Sequence, residues 1–244
     1  MAKPDGASEL VERPETGRTF SARRRVRLAD ADAHGTLRLD ALFRFAQDVA
    51  TDDAREVLPQ GPAWVIRRAL VEVHHHPREG EMVELTTWCG GYGRSWAERR
   101  TSVVGDDGGQ VELAALWVAL DPERGRPVVL PDEFGPIYAA AAGGRQVAAK
   151  LRHGAPPATA ASQPWSFRAA DEDLMNHVNN AAYWTVIEEM LDVRPDRLRA
   201  EAEYRSPIEA GDPLILRTER VDGELRAWLT RDDTVHASLR LCRL

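Results

Sequence analysis

Val26-Arg27-Leu28-Ala29-Asp30-Ala31-Asp32 is matched 141 residues further on (Val26 to Phe167) by Phe167-Arg168-Ala169-Ala170-Asp171-Glu172-Asp173. In both segments an apolar residue precedes Arg-x-x-Asp-x-Asp. A match this short could be chance, but the downstream residues keep the same register. Leu39, Leu42, Phe43, Ala46, Val49 and Ala50 recur at the i, i+3, i+4, i+7 spacing of an amphipathic helix. The same offset leads to Asn180, Tyr183, Trp184, Ile187, Met190 and Leu191. A duplicated helical face behind a duplicated turn marks an internal repeat, and a repeat constrains the architecture more tightly than any single element.

After each helix come strand-like runs. In the first half these are Trp64 to Val73, Met82 to Cys89, Trp96 to Val104 and Val111 to Leu120. In the second they are Leu198 to Tyr204, Leu214 to Val221, Glu224 to Leu229 and Val235 to Leu241, with Gly and Asp turns between. The pattern predicts helices over residues 36–57 and 178–192, each wrapped by an antiparallel sheet and related by a pseudo-twofold axis. The fold class is therefore α+β, in two similar units. The expected division is a disordered tail at 1–19, a first unit at 20–121, a linker at 122–162 and a second unit at 163–244. The linker is rich in Ala, Gly and Pro, and no fold is assigned to its middle.

Composition narrows the function. The 244 residues are 43% hydrophobic, enough for a real core, and the net charge of -7 argues against a general nucleic-acid binder. Met1 to Gly17 holds no apolar run of signal-peptide or membrane-span length. The two cysteines, Cys89 and Cys242, form neither a disulfide framework nor a metal motif. A cytoplasmic protein is expected, with no membrane span, no nucleic-acid partner, no cofactor and no metal.

The polar residues concentrate in one half. His177, Val178, Asn179 and Asn180 stand where the first half has Thr36, Leu37, Arg38 and Leu39. Asn180 thus occupies a core-facing position, where an amide costs roughly 1–3 kcal/mol unless hydrogen-bonded. A helix start there would offer unpaired N–H groups to a developing oxyanion. Asp173, just upstream, is placed to orient or deprotonate water. The plain alternative is that Asp173 and Asn179 cap the helix, which leaves the rest of the polar run unexplained.

Asp171-Glu172-Asp173-Leu174-Met175-Asn176-His177-Val178-Asn179-Asn180, with Tyr183 three residues on, resembles the signature of the plant-type fatty acyl-acyl carrier protein thioesterases. Trp64-Val65-Ile66, Thr87-Trp88-Cys89, Gly93-Arg94 and Glu203-Tyr204-Arg205 extend the likeness over most of residues 20–244. The resemblance implies two fused hotdog domains packed as a pseudo-dimer, with a degenerate site in the first. It implies hydrolysis of acyl thioesters on the phosphopantetheine arm of acyl carrier protein, in fatty acid biosynthesis, and leaves open a homodimer of the double unit. Asp173 and His177 fall on the family's catalytic Asp and His, with Asn180 as a third catalytic candidate. The family's catalytic Asn is replaced by Met175, and its acidic residue and cysteine by Pro207 and Ile208. Asn176 and Asn179 are expected to contact substrate, and Leu39, Leu42 and Phe43 to line the acyl channel.

Other signals carry less. Only His74 and His76 of the triple-His run would share a strand face, without a third ligand. Arg23-Arg24-Arg25, Arg67-Arg68 and Arg99-Arg100 are candidate docking charges for an acidic carrier, although charge runs are more often solvated faces. Rival readings are an acyl-coenzyme A or polyketide-carrier thioesterase, a hotdog dehydratase, and a non-catalytic acyl-binding protein.

Overall fold

A computed structural model describes residues 10–121 and 123–244. Ten strands form one antiparallel sheet: β1 (Thr19–Arg25), β2 (Ala63–His75), β3 (Met82–Tyr92), β4 (Trp96–Gly105), β5 (Gln110–Leu120), β6 (Ala161–Trp165), β7 (Leu198–Tyr204), β8 (Leu214–Val221), β9 (Glu224–Arg231) and β10 (Thr234–Arg243). The eight expected strands are present to within three residues at every end, joined by one leading strand per half.

The strand order is β1-β3-β4-β5-β2-β7-β10-β9-β8-β6. Read inward from either edge, the two halves follow the same sequence of strand types. They meet at β2 and β7, antiparallel from Arg68 opposite Glu203 to Val73 opposite Leu198. A single apolar core runs across this seam, from Val26 and Leu42 in one half to Ile187 and Leu239 in the other.

The helices differ in length. The first, α1 (Leu39–Val57), follows the apolar stripe and buries Leu39, Leu42, Phe43 and Val49. Its first amide is capped from the other half, where Glu188 accepts a 2.7 Å hydrogen bond from the Leu39 N–H. Asp40 in its first turn suits the helix dipole and is braced by Arg38 and Arg44. The connector contributes α2 (Phe134–Ala142). The expected helix over 178–192 is instead a 3-10 turn, Ala182–Trp184, followed by a six-residue helix, α3 (Thr185–Met190). At the start, Asn179 Oδ1 accepts the Ala181 N–H at 2.9 Å and holds a turn. At the end, Leu191 already has extended backbone, with φ -90 and ψ 106, and Pro195 further on biases Arg194 the same way. The long helix expected in each half is thus present only in the first.

The connector is also more ordered than its composition implied. Phe134, Tyr138 and Ala142 of α2 build a second small core with Cys89 and Ala97. Beyond α2 the chain crosses the outer face of the sheet. Trp96 Nε1 donates to Val147 O, Arg68 to Lys150 O, and Trp228 Nε1 to Gly154 O. A Cβ on Gly91 would lie 2.9 Å from Arg145 O, so this crossing needs glycine beneath it. Of the expected tail, residues 1–9 lie outside the described residues, whereas Arg18 is anchored on Asp53 at 2.6 Å. Among the described residues no helix is long and apolar enough to cross a membrane.

The strap ends at a buried polar clasp. Ser238 Oγ lies 2.9 Å from His153 Nδ1, and Glu201 lies 3.9 Å from Nε2, beyond hydrogen-bond reach. Burial works to raise the Glu201 carboxyl. The adjacent His153 and the hydrogen-bonded Arg199 outweigh it and hold the group at about 2 against an ordinary 4.5. A folded value below the unfolded one contributes stability that is full above pH 4.5 and fades as pH falls toward 2. Wild-type unfolding free energy should therefore drop, over that window, by on the order of 3 kcal/mol more than that of Glu201→Gln. Identical acid limbs in a denaturant titration would remove Glu201 as the cause.

Candidate functional site

Both halves fold the Asp-x-Asp segment alike, and the differences single out one of them. Asp30 and Asp171 each accept the backbone N–H of the Arg three residues earlier, at 2.9 Å, closing a 3-10 turn. The next acidic residue then organises a tight loop. Asp32 N–H donates to Thr36 O at 2.8 Å, and Asp173 N–H to His177 O at 2.9 Å. Single bridges seal both loops, Ala31 to Leu37 and Glu172 to Val178.

The carboxylates fare differently. Asp32 Oδ1 accepts two amides, from His34 at 2.8 Å and Thr36 at 2.9 Å, while Oδ2 is paired with Arg194 at 3.1 Å. Burial favours the neutral form of Asp32, but these amides and Arg194 hold it below the usual carboxylate range. Asp173 Oδ1 accepts a single amide, Met175 N–H at 2.9 Å, and Oδ2 has only a stretched 3.5 Å contact with Asn179. Among the described residues Asp173 forms no ion pair. One loop carries a neutralised carboxylate and the other an available one.

The structure sorts the remaining expected residues. His177 lies at the end of the loop, half-buried, rather than on a helix face. Asn176 is exposed, with φ 57, at the place where the first half uses Gly35 with φ 74. Its left-handed backbone accounts for Asn without any substrate contact. Asn176→Gly should therefore keep folding stability within about 1 kcal/mol, while Asn176→Val loses about 1–2 kcal/mol. A collapse of turnover in a folded Asn176→Gly protein would restore a role for the side chain. Asn179 is committed to the Ala181 amide, as a cap would be.

The helix-start amides are mostly spent. Val178 donates to Ile208 O, Asn179 to Asp171 O, Ala181 to the Asn179 side chain and Ala182 to Asn179 O. In that run the Asn180 N–H alone has no hydrogen bond among the described residues. The Asn180 side chain is half-buried and faces a groove shared with Phe43, Ala181 and Tyr204. Neither Asp173 nor His177 lines that groove. Pro207 and Ile208, at the family's acidic and cysteine positions, lie beside the loop, since Ile208 O receives the Val178 amide at 2.8 Å.

Next to this groove lies a cavity of about 270 Å³ between α1 and the first-half sheet, the two sharing Gln47, Ala50, Arg99 and Trp117 as walls. Its helical wall is Gln47, Ala50, Thr51 and Ala54, and its far end is Trp64, Cys89, Phe134 and Tyr138. Of the expected channel residues only Phe43 lies on this path. Leu39 and Leu42 are 1% and 2% exposed in the main core, because the channel runs along the neighbouring stripe of α1. Cys89 is a buried thiol pushed up to about 11 by desolvation, unsuited to act as a nucleophile.

A charge cluster at the middle of the channel was not anticipated. Asp53 is fully buried and accepts from Arg99 at 2.5 Å, Tyr138 at 2.9 Å and Arg18 at 2.6 Å. The signal was an Asp continuing the apolar stripe of α1 four residues past Val49. Arg68 and Arg100 are likewise buried, so neither these nor Arg99 form a docking face. The Ser238, His153 and Glu201 clasp has the side-chain order of a nucleophile, base and acid. Ser238 is 1% exposed, however, and none of the three lines the channel. The triple-His run disperses: His74 approaches Glu72, His75 is exposed and His76 meets Pro195 O.

Comparison with known proteins finds two family models, one after the other along the chain. The acyl-ACP thioesterase N-terminal domain matches residues 17–138, and the acyl-ACP thioesterase C-terminal domain matches residues 154–231. An uncharacterized protein of Mycobacterium tuberculosis is 28% identical over 240 residues, 96% of each chain. In fold, an acyl-ACP thioesterase from Bacteroides thetaiotaomicron aligns with a TM-score of 0.75 at 16% identity, over 92% of this chain and 97% of that one. The 12:0-ACP thioesterase of Umbellularia californica aligns at 0.74 and 21% identity, over 92% and 96%. These neighbours have the thioesterase hotdog fold, to which this sheet and its helices conform. With both domains matched in order across most of its length, this chain belongs to the acyl-ACP thioesterase family.

Proposed function

We propose that the protein hydrolyses fatty acyl thioesters borne on acyl carrier protein, at one site built on the Asp173 loop, with the acyl chain in the channel along α1. The observation that carries this reading is the contrast between two equivalent loops. Asp32 is saturated by two amides and Arg194, whereas Asp173 keeps a carboxylate oxygen available. The inward-matching strand order and the β2–β7 seam support two fused hotdog units acting as a pseudo-dimer, with a degenerate site at Asp32.

In this reading Asp173 Oδ2 accepts a proton from water as the water oxygen bonds to the thioester carbonyl carbon. The Asn180 amides face the developing oxyanion, and His177 positions the water or the sulfur. Collapse of the tetrahedral intermediate breaks the carbon–sulfur bond, and the proton held by Asp173 passes to the departing thiolate. The products are a free fatty acid and the carrier thiol. Met175 in place of the family's Asn leaves Asp173 and His177 to carry the step.

The test is thiol release from matched acyl-carrier-protein and acyl-coenzyme A thioesters. Faster release from the carrier substrate is expected. Preference for coenzyme A would move the substrate handle, and release from neither would leave an acyl-binding protein.

A further inference from the structure

An alkyl chain asks only for an apolar wall, yet the stretch shared by the groove and the cavity is lined by a guanidinium. Arg99 lines both the groove beside Asn180 and the larger cavity beyond it. Its side chain is 15% exposed. Asp53 takes one of its N–H groups at 2.5 Å, and Tyr138 lies at a stretched 3.4 Å. A guanidinium has five N–H donors, so these two contacts leave donors over. Gln47 on α1 faces the same stretch.

Asp53 is shared between Arg99 and Arg18, and Arg18 is paired with Glu56 as well. Burial works against the charged form of Arg99, and Asp53 and Tyr138 outweigh it, so the group stays protonated. Leaving such a donor against a bare methylene chain forfeits hydrogen bonds it would otherwise make to water.

We infer that the preferred acyl chain carries an oxygen acceptor, a keto or hydroxyl group, at the position along the chain that reaches Arg99 and Gln47. This rests on the thioesterase reading for the route by which the chain enters, and it names the substrate class of that site. A purely structural role for Arg99, tying α1 to β4 through Asp53, makes a different prediction. It would affect plain and oxygenated chains equally.

The test uses amide analogues of acyl-pantetheine, which bind without being cleaved, in matched pairs of saturated and mono-oxo chains with the keto group walked along the chain. Calorimetry on the wild-type protein should show one oxo position bound about ten-fold to a hundred-fold more tightly than its saturated partner, as expected for a hydrogen bond to a charged donor. Arg99→Leu should abolish that ratio, read against the saturated series measured in the same variant. If Arg99→Leu does not fold, Gln47→Leu, which touches no buried ion pair, should reduce the ratio several-fold. Equal or tighter binding of the saturated chain at every keto position overturns the inference, as does a preference that survives Arg99→Leu. Absence of cleavage of the corresponding thioesters, with the preference intact, would overturn the hydrolase reading alone.

Discussion

Asp173→Asn should lower thioester hydrolysis by roughly 10²–10⁴ while leaving the fold intact. The substitution keeps the Oδ1 that accepts the Met175 amide at 2.9 Å, so the loop retains its main restraint. What it removes is the charge and basicity of Oδ2, which is free of any ion pair among the described residues. Asn caps and turns as well as Asp does, so a purely conformational role predicts almost no change in rate or stability. Asp32→Asn serves as the internal comparison. There the lost carboxylate charge faces Arg194, and the effect should fall on stability rather than on turnover. Full activity in a folded Asp173→Asn protein would remove Asp173 from the chemistry.

Trp184→Ala should cost about 3–5 kcal/mol of folding stability. Trp184 is fully buried and stacks on Phe43 of α1 at 4.1 Å with rings 7° from parallel. That contact joins the long helix of one half to the 3-10 turn that leads into the short helix of the other, and the second half has little helical surface to compensate for its loss. Since a protein's net stability is about 5–15 kcal/mol, urea unfolding should register the change as a large fraction of the total. Trp184→Phe keeps a ring against Phe43 and should recover most of it. A loss below about 1 kcal/mol for the alanine variant would mean that the two helices are held together elsewhere.

The repeat was legible because it is written in periodic apolar positions, which burial enforces independently of local detail. Val26 and Phe167, Leu42 and Tyr183, and Phe43 and Trp184 do occupy matching buried places. The second helix was over-extended because Ile187, Met190 and Leu191 continue the stripe, while the Asn179 turn delays its start and Leu191 turns to extended backbone. Asn176 read as a polar site residue because sequence does not display a positive φ, and Gly35 at the equivalent position was the available clue. The folded connector was missed because Phe134 and Tyr138 find their partners in β3 and β4, far away in the chain. For the same reason Arg99 looked like a surface charge. Only folding brings Asp53, Tyr138 and Arg18 around it, although an Asp on an apolar stripe is a signal that a buried cation lies opposite.

The most direct measurement is a crystal structure with a non-cleavable acyl-pantetheine amide bound. The acyl chain should lie between α1 and the first-half sheet, past Asn180 toward Phe134, with its carbonyl near the Asn180 amide and a water between it and Asp173 Oδ2. An amide carbonyl seated instead beside Asp32, or an acyl chain outside the channel lined by Gln47 and Arg99, would contradict a single hydrolytic site on the Asp173 loop.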